Sequence, residues 1–278
     1  MRPGRRPADL DATGTVRLAP IAVGALSAAV LVHLAPAITS WRSLRCRVLP
    51  TLSGVGDDPH VALTFDDGPD PVSTPAFLDT LDELGWRATF FCLGQQVRRD
   101  PDLTREVVRR GHELGVHGDV HTSHLRRPVT WTVPDLLRAR DLVAEVSGVE
   151  PAWFRPPYGA VAASSLAAAH RAGVQTVLWT SWGRDWRAEA TAETVVADVE
   201  RTWHPGATVL LHDSDITSAP NCWHSALGAL PLLAERWAAR GLSVGTLGEH
   251  GIGAPTWRLD EVRRARHRRE CPKGSHRR

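Results

Sequence analysis

The sequence predicts an α/β fold built on a parallel sheet or barrel, and three features point to it. From about His60 onward, short apolar runs alternate with segments of helical pattern. The helical segments are punctuated by Pro75 and Pro101 at their starts and by Gly85, Gly111, Gly148, Gly173 and Gly241 at their ends. Acids, imidazoles and one arginine fall at the C-terminal ends of the strand candidates, where a βα barrel gathers its site residues in one mouth.

The elements follow in order. Val61–Phe65 reads as the first strand, and Thr74 with Pro75 opens a helix that Gly85 stops. Ala88–Leu93 is the second strand; Asp100 then caps a helix with Pro101 in its first position, ending at Gly111. Glu113–His117 is the third strand, and a helix from about Val133 to Ser147 ends at Gly148. Ala152–Arg155 is a short fourth strand before a stiff Pro-Pro loop, after which Ser164 or Ser165 opens a helix stopped by Gly173. Val174–Trp179 is the fifth strand, Ala192–Trp203 a helix, Ala207–His212 the sixth strand, Trp223–Arg240 a helix and Leu242–Leu247 the seventh strand.

With 278 residues, 42% hydrophobic and 23% charged, the chain is neither disordered, collagen-like nor a disulfide-dense miniprotein. Its net charge of +2 is a cancellation: +5 over residues 1–47, −9 over 48–256 and +6 over 257–278. These are the three expected regions: a basic N-terminus, an acidic folded body and a basic, disordered tail. An acidic body argues against nucleic acid as a partner. Four widely spaced cysteines, Cys46, Cys92, Cys222 and Cys271, form no CxxC pair, so a zinc ribbon is excluded; Cys92 sits in an apolar run and reads as core. Residues 18–38 are apolar apart from Ser27 and His33, about the length needed to cross a bilayer. An uncleaved membrane anchor is the preferred reading, beside a signal cleaved near Ala35-Pro36-Ala37 or a buried helix. The first two place the body outside the cytoplasm.

Four segments carry chemistry. Asp66-Asp67-Gly68-Pro69 follows the first strand; alone it is an ordinary turn, but adjacent carboxylates diverge, so one can ligate a metal while the other acts as a base. His117 and His121 lie four apart, a spacing that suits one ion, and Asp67 would complete a two-His, one-carboxylate set with coordination positions left open. His124 follows three residues later, so His121 with His124 is a second frame. Arg155-Pro156-Pro157-Tyr158-Gly159 offers a cation to compensate Asp66, or a purely structural loop. His212 ends the sixth strand, where it suits proton donation or simply a hydrogen-bonded strand end.

Together, Thr64–Pro69, His117–His121, Arg155–Gly159, Asp185-Trp186 and Leu210–His212 resemble the motifs of the NodB-like polysaccharide deacetylases, carbohydrate esterase family 4, over roughly residues 58–250. The resemblance implies a distorted (β/α)7-type barrel. It implies Asp67, His117 and His121 as ligands of a divalent metal, usually Zn2+, with Co2+ as a substitute. It implies Asp66 as the general base, Arg155 as the residue orienting it, and His212 as the acid, tuned by Asp185. The backbone N–H of Tyr158 would help hold an oxyanion, and Trp186 and Leu210 would wall the acetyl pocket. The sequence departs from the family at Gly118, where Ser or Thr is usual. The frame from His121 has Thr122 but puts Leu125 at the second ligand position, so His117 with His121 is preferred.

The implied activity is removal of N-acetyl groups from an N-acetylglucosamine polymer such as peptidoglycan or a chitin-like glycan, releasing acetate. Its partners would be an acetylated glycan and, through the N-terminal segment, a membrane. Among 11 Trp, Trp153, Trp182 and Trp186 lie near mouth segments and could stack on sugars. An O-acetyl esterase or a small-amide amidase could use the same site, and a non-catalytic glycan-binding barrel is the reading from another class.

Overall fold

The computed structural model describes residues 27–252. Among the described residues, eight strands form one all-parallel sheet: β1 (His60–Asp66), β2 (Thr89–Cys92), β3 (Glu113–Val116), β4 (Trp153–Phe154), β5 (Gln175–Thr176), β6 (Ser181–Trp182), β7 (Thr208–His212) and β8 (Ser243–Gly245). They run in the order β5-β4-β3-β2-β1-β7-β6, with β8 paired to the start of β1. The sheet curls so that its two end strands, β5 and β6, are joined by only four residues.

That junction explains why seven strands were expected and eight occur. The run 174–179 reads as one strand, yet the chain changes partners inside it. Val177 N–H donates to Phe154 O on the β4 side, Leu178 N–H to Leu52 O, and Thr180 N–H to Thr208 O beside β7. The four carbonyls from 177 to 180 accept from guanidinium groups instead of a strand. Arg155 donates to Val177 O at 3.4 Å and Leu178 O at 2.9 Å, Arg45 to Trp179 O at 2.6 Å, and Arg42 to Thr180 O at 2.7 Å. Buried carbonyls need donors, and three arginines supply them where the ladder cannot.

The strand alternation sorts side chains between two cores. On β1, Val61, Leu63 and Phe65 pack outward with Phe90, Val209, Leu211, Leu230 and Trp237 under the helices. Ala62 points the other way, into an inner cluster with Phe91, Trp153, Val177 and Leu247. The same alternation puts Thr64 and Asp66 on the inner face, and on β7 Leu210 and His212.

Helices α4 (Thr74–Leu84), α6 (Pro101–Arg109), α7 (Val129–Ser147), α8 (Ala163–Ala172), α9 (Ala192–Thr202) and α10 (Trp223–Ala239) cover the outside. Asp100 caps α6 as expected, its carboxylate accepting from Leu103 N–H at 2.9 Å. Helix α7 starts four residues before the expected Val133: Trp131 and Thr132 N–H already bond Pro128 O, so a turn forms ahead of Pro134 and the proline falls inside the helix. A further short helix, α5 (Gly94–Arg99), follows β2 directly and was not expected.

Before the barrel, residues 27–34 are helical (α1), and Ala35–Ser40 continue as a tighter 3-10 turn that contains Pro36. Short helices α2 (Arg42–Val48) and α3 (Pro50–Ser53) then dock on the β5–β6 junction through Arg42, Arg45 and Leu52. The expected domain boundary near residue 48 thus runs through a segment packed on the barrel. Among the described residues no helix is long and apolar enough to cross a membrane. Residues 1–26, with the first part of the apolar 18–38 stretch, and the tail 257–278, with Cys271, lie outside the described residues. Cys46, Cys92 and Cys222 are free thiols, and Cys92 is buried core.

Candidate active site

The C-terminal ends of the strands surround a cavity of about 300 Å³. Its lining includes Asp66, Asp67, His117, His121, Tyr158, Trp186, Leu210 and His212, eight of the ten residues singled out from the sequence. The other two stand directly behind: Arg155 touches Asp66, and Asp185 touches His212.

Asp66 is the last residue of β1 and faces inward. Asp67 follows in a left-handed conformation, φ 81°, which breaks the strand alternation and brings the second carboxylate into the same cavity. Glycine suits the next position, because a Cβ on Gly68 would run into the buried Asp213 carboxylate. Asp67 Oδ1 is 3.4 Å from His117 Nε2 and 3.5 Å from His121 Nε2. The three ligand atoms lie within 4.8 Å of one another, and no other such group of donors occurs among the described residues. Asp67 Oδ1 is buried without a hydrogen-bond partner, while Oδ2 accepts from Thr217 Oγ1 at 2.5 Å. Burial holds both imidazoles below their ordinary pKa, so each offers a neutral nitrogen. An orphaned carboxylate oxygen facing two neutral imidazoles fits a divalent cation, and this donor set suits zinc.

His117 directly follows β3, and Gly118 takes φ 95°, a conformation in which the Ser or Thr usual in the family would be strained. The turn carries His121 back beside His117, with ring centroids 5.3 Å apart. His124 goes elsewhere: it is buried, 3.1 Å from Ser165 Oγ and stacked on Phe154, outside the three-donor group.

Asp66 is held by Arg155, whose Nη1 donates to Asp66 Oδ1 at 2.7 Å and to Thr64 Oγ1 at 2.8 Å. Arg155 is wholly buried and lies over the Phe91 ring. Burial pushes the Asp66 carboxyl up to about 6, although Arg155 pulls the other way. Across the cavity, His212 Nδ1 is 3.0 Å from Asp185 Oδ1, and His212 backbone N–H donates to Asp185 Oδ2 at 2.6 Å. Gripped twice, the ring has only Nε2 left for the cavity. Burial alone would lower the His212 pKa, but the Asp185 carboxylate, helped by Asp67 and Asp66, raises it to about 10.

Tyr158 adopts φ 62° in the turn after the Pro-Pro pair. Its ring lies 4.3 Å from that of His121 and is 66% exposed, and its backbone N–H has no hydrogen-bond partner among the described residues. Trp179, Trp182 and Trp186 form a chain of ring contacts that ends on His212. Trp153 does not join them: it is core, its Nε1 bonded to Glu113 Oε1 at 2.8 Å, because β4 turns it into the inner cluster. Sequence reasoning missed Thr217, in a loop without pattern, and did not weigh Trp179 as a sugar platform, although it ends an apolar run.

Residues 53–177 match the family model described as polysaccharide deacetylase. A peptidoglycan-N-acetylglucosamine deacetylase of Bacillus cereus is 40% identical over 156 residues, which is 55% of this chain and 72% of that protein. A chitooligosaccharide deacetylase of Bradyrhizobium is 38% identical over 154 residues, 55% of this chain and 70% of that one. A peptidoglycan-N-acetylglucosamine deacetylase of Listeria monocytogenes is 33% identical over 183 residues, yet the match spans only 38% of its length. Among solved structures, a family 4 carbohydrate esterase from Streptomyces lividans in complex with acetate superposes with a TM-score of 0.62 at 30% identity, covering 72% of this chain and 99% of that one. With motifs, barrel and relatives in agreement, this chain belongs to the polysaccharide deacetylases, the NodB-like carbohydrate esterases of family 4.

Proposed function

We propose that the protein is a metal-dependent hydrolase that removes N-acetyl groups from an N-acetylglucosamine-containing polysaccharide outside the cytoplasm. The observation that carries this reading is the pairing, across one cavity, of an Asp67–His117–His121 cation site with a separate, Arg-held carboxylate and a carboxylate-held imidazole. Relatives that act on peptidoglycan and on chitooligosaccharides support the substrate class and the cell-wall setting.

Asp67, His117 and His121 hold the ion, which we take to be zinc. When bound, it supplies Lewis acidity, polarising the acetyl carbonyl and making water a usable nucleophile near neutral pH. Asp66 takes the proton from the attacking water, and Arg155 keeps its oxygens aimed while stabilising the charged form that burial opposes. The Tyr158 N–H donates to the oxygen on which negative charge develops. His212, protonated because of Asp185, gives its Nε2 proton to the departing amine. Leu210 and Trp186 enclose the acetyl methyl, and the Trp179–Trp182 surface carries the sugar.

Acetate release from N-acetylglucosamine oligomers, measured with and without chelator, tests this. Release that stops on chelation and returns with zinc or cobalt is the expected result. Release from acetylated xylan alone would instead make the protein an O-acetyl esterase. Inactivity of the reloaded protein on every acetylated glycan would make it a non-catalytic binder.

A further inference from the structure

Beside the catalytic cavity lies a second groove of about 320 Å³, lined by Ser40, Arg42, Arg45, Arg184, Arg201 and Thr202. The two spaces share Tyr158, Gly159, Trp179 and Trp182 as walls, so they lie side by side. Four arginines and no Asp or Glu line the outer groove. Two of the four are already engaged: Arg45 is buried and donates to Ser53, Thr39 and Trp179, and Arg201 pairs with Asp198 at 2.5 Å. Arg42 bonds only carbonyl oxygens, those of Thr180 and Thr202. The Arg184 guanidinium makes no hydrogen bond or ion pair among the described residues and lies 5.1 Å over the Trp182 ring. Its backbone is left-handed, φ 51°, unusual for a long side chain. The crowding is felt inside the cluster: burial chiefly, with help from Arg42 and Arg155, lowers the Arg45 pKa to about 10.

Uncompensated cations in a concave, aromatic-floored groove are poised for an anion. A glycan lying across Trp182 with one residue in the catalytic cavity would bring the next residue of the same chain against these arginines. We propose that the outer groove is a subsite for a carboxylate borne by the glycan beside the sugar being deacetylated, held by Arg42 and Arg184. The enzyme would then favour an acidic, muramic-acid-type polymer over a neutral chitin-like one. This rests on the hydrolase reading above and adds to it the charge of the preferred chain.

The test uses three tetrasaccharides with the full-length, zinc-loaded protein: an alternating N-acetylglucosamine and N-acetylmuramic acid chain with free lactyl carboxylates, its methyl ester, and neutral N-acetylglucosamine tetramer. Acetate release should favour the free acid over the ester at least tenfold in kcat/KM, mostly through KM, and the preference should shrink with added salt. Arg184→Gln and Arg184→Glu should abolish the preference, the second more completely, with the neutral tetramer changed less than threefold. Arg42→Gln should act likewise, but it also removes donors from the β5–β6 junction, so the Arg184 variants decide the matter. A chain carrying stem peptides separates the sources. Arginine-dependent preference for it would assign the carboxylate to the peptide, and preference for the free acid would assign it to the sugar. Calorimetric binding of acid and ester is read in parallel. If no acetate is released from any substrate but the acid still binds more tightly in an Arg184-dependent way, the hydrolase reading fails and the subsite stands. Equal handling of acid, ester and peptide-bearing chain by the parent, or a preference that survives in the Arg42→Gln, Arg184→Gln double variant, overturns the proposal.

Discussion

Replacing Asp185 by asparagine asks which group keeps the proton on His212. The change is nearly isosteric, and the amide oxygen can still accept from the His212 backbone N–H, now 2.6 Å from Oδ2. What it removes is the charge facing Nδ1 at 3.0 Å. The His212 pKa stands at about 10 against an ordinary 6.5, a rise worth roughly 5 kcal/mol in favour of the imidazolium, and Asp185 is its main raising cause. The sign follows: His212 stays protonated at neutral pH and loses its proton only as pH rises toward 10. An ion held by Asp67 takes away that carboxylate's share, so parent and variant must carry the same metal load. If Asp185→Asn returns the pKa toward 6.5, the imidazolium population at pH 8 falls to roughly 3%, a thirtyfold loss from population alone. Loss of a positioned general acid is worth about 10²–10⁴-fold in full. The assay is acetate release from N-acetylglucosamine tetramer across pH 5–10. The basic limb should move down by more than one pH unit, and the variant-to-parent ratio of kcat should recover at least tenfold between pH 8 and pH 6. An unmoved basic limb, or an equal loss at both pH values, would refute the assignment of His212 as a donor charged by Asp185.

The acid limb should come from Asp66. Its pKa is raised by burial, so kcat/KM should fall as pH drops through about 6, and Asp66→Asn should remove both the limb and the activity while zinc content stays the same. Thr217→Val deletes the hydroxyl on Asp67 Oδ2 and should weaken zinc binding about 10–100-fold, read by competition with a chelating dye; unchanged affinity would strip Thr217 of that role. Arg45→Met removes three charged hydrogen bonds at the β5–β6 junction and should cost about 3 kcal/mol, a drop in Tm of roughly 6–12 °C by calorimetry. A drop under 2 °C would mean the junction does not depend on the N-terminal helices.

Much of the site was legible because its motifs sit at strand ends, where sequence order and spatial order coincide. Asp66 and His212 end neighbouring strands and pair in register, so reading two parallel strands already puts their side chains in one mouth. His117 and His121 come together through a single turn, and spacing alone suggests a shared ion. His124 was ambiguous because spacing does not say which way a turn folds, and the left-handed Gly118 settles that locally. Trp153 was misplaced because a two-residue strand gives no alternation to read. The strand expected over 174–179 divides because its partners change midway, which depends on Leu52 and on β7, both far away in sequence.

The βα order, the acidic body between basic ends and the five motifs follow from local periodicity, counted charge and residue type, all of which the linear chain carries. That Arg155 is at once the clamp on Asp66 and a donor to the barrel junction emerges only from the folded packing. The same holds for the N-terminal helices, which belong to that junction, and for the arginine groove, which adjoins the catalytic cavity. Arg42 meets Thr180 and Thr202 across more than a hundred positions of chain. Nothing in a strand's periodicity records which distant donor will satisfy its buried carbonyls.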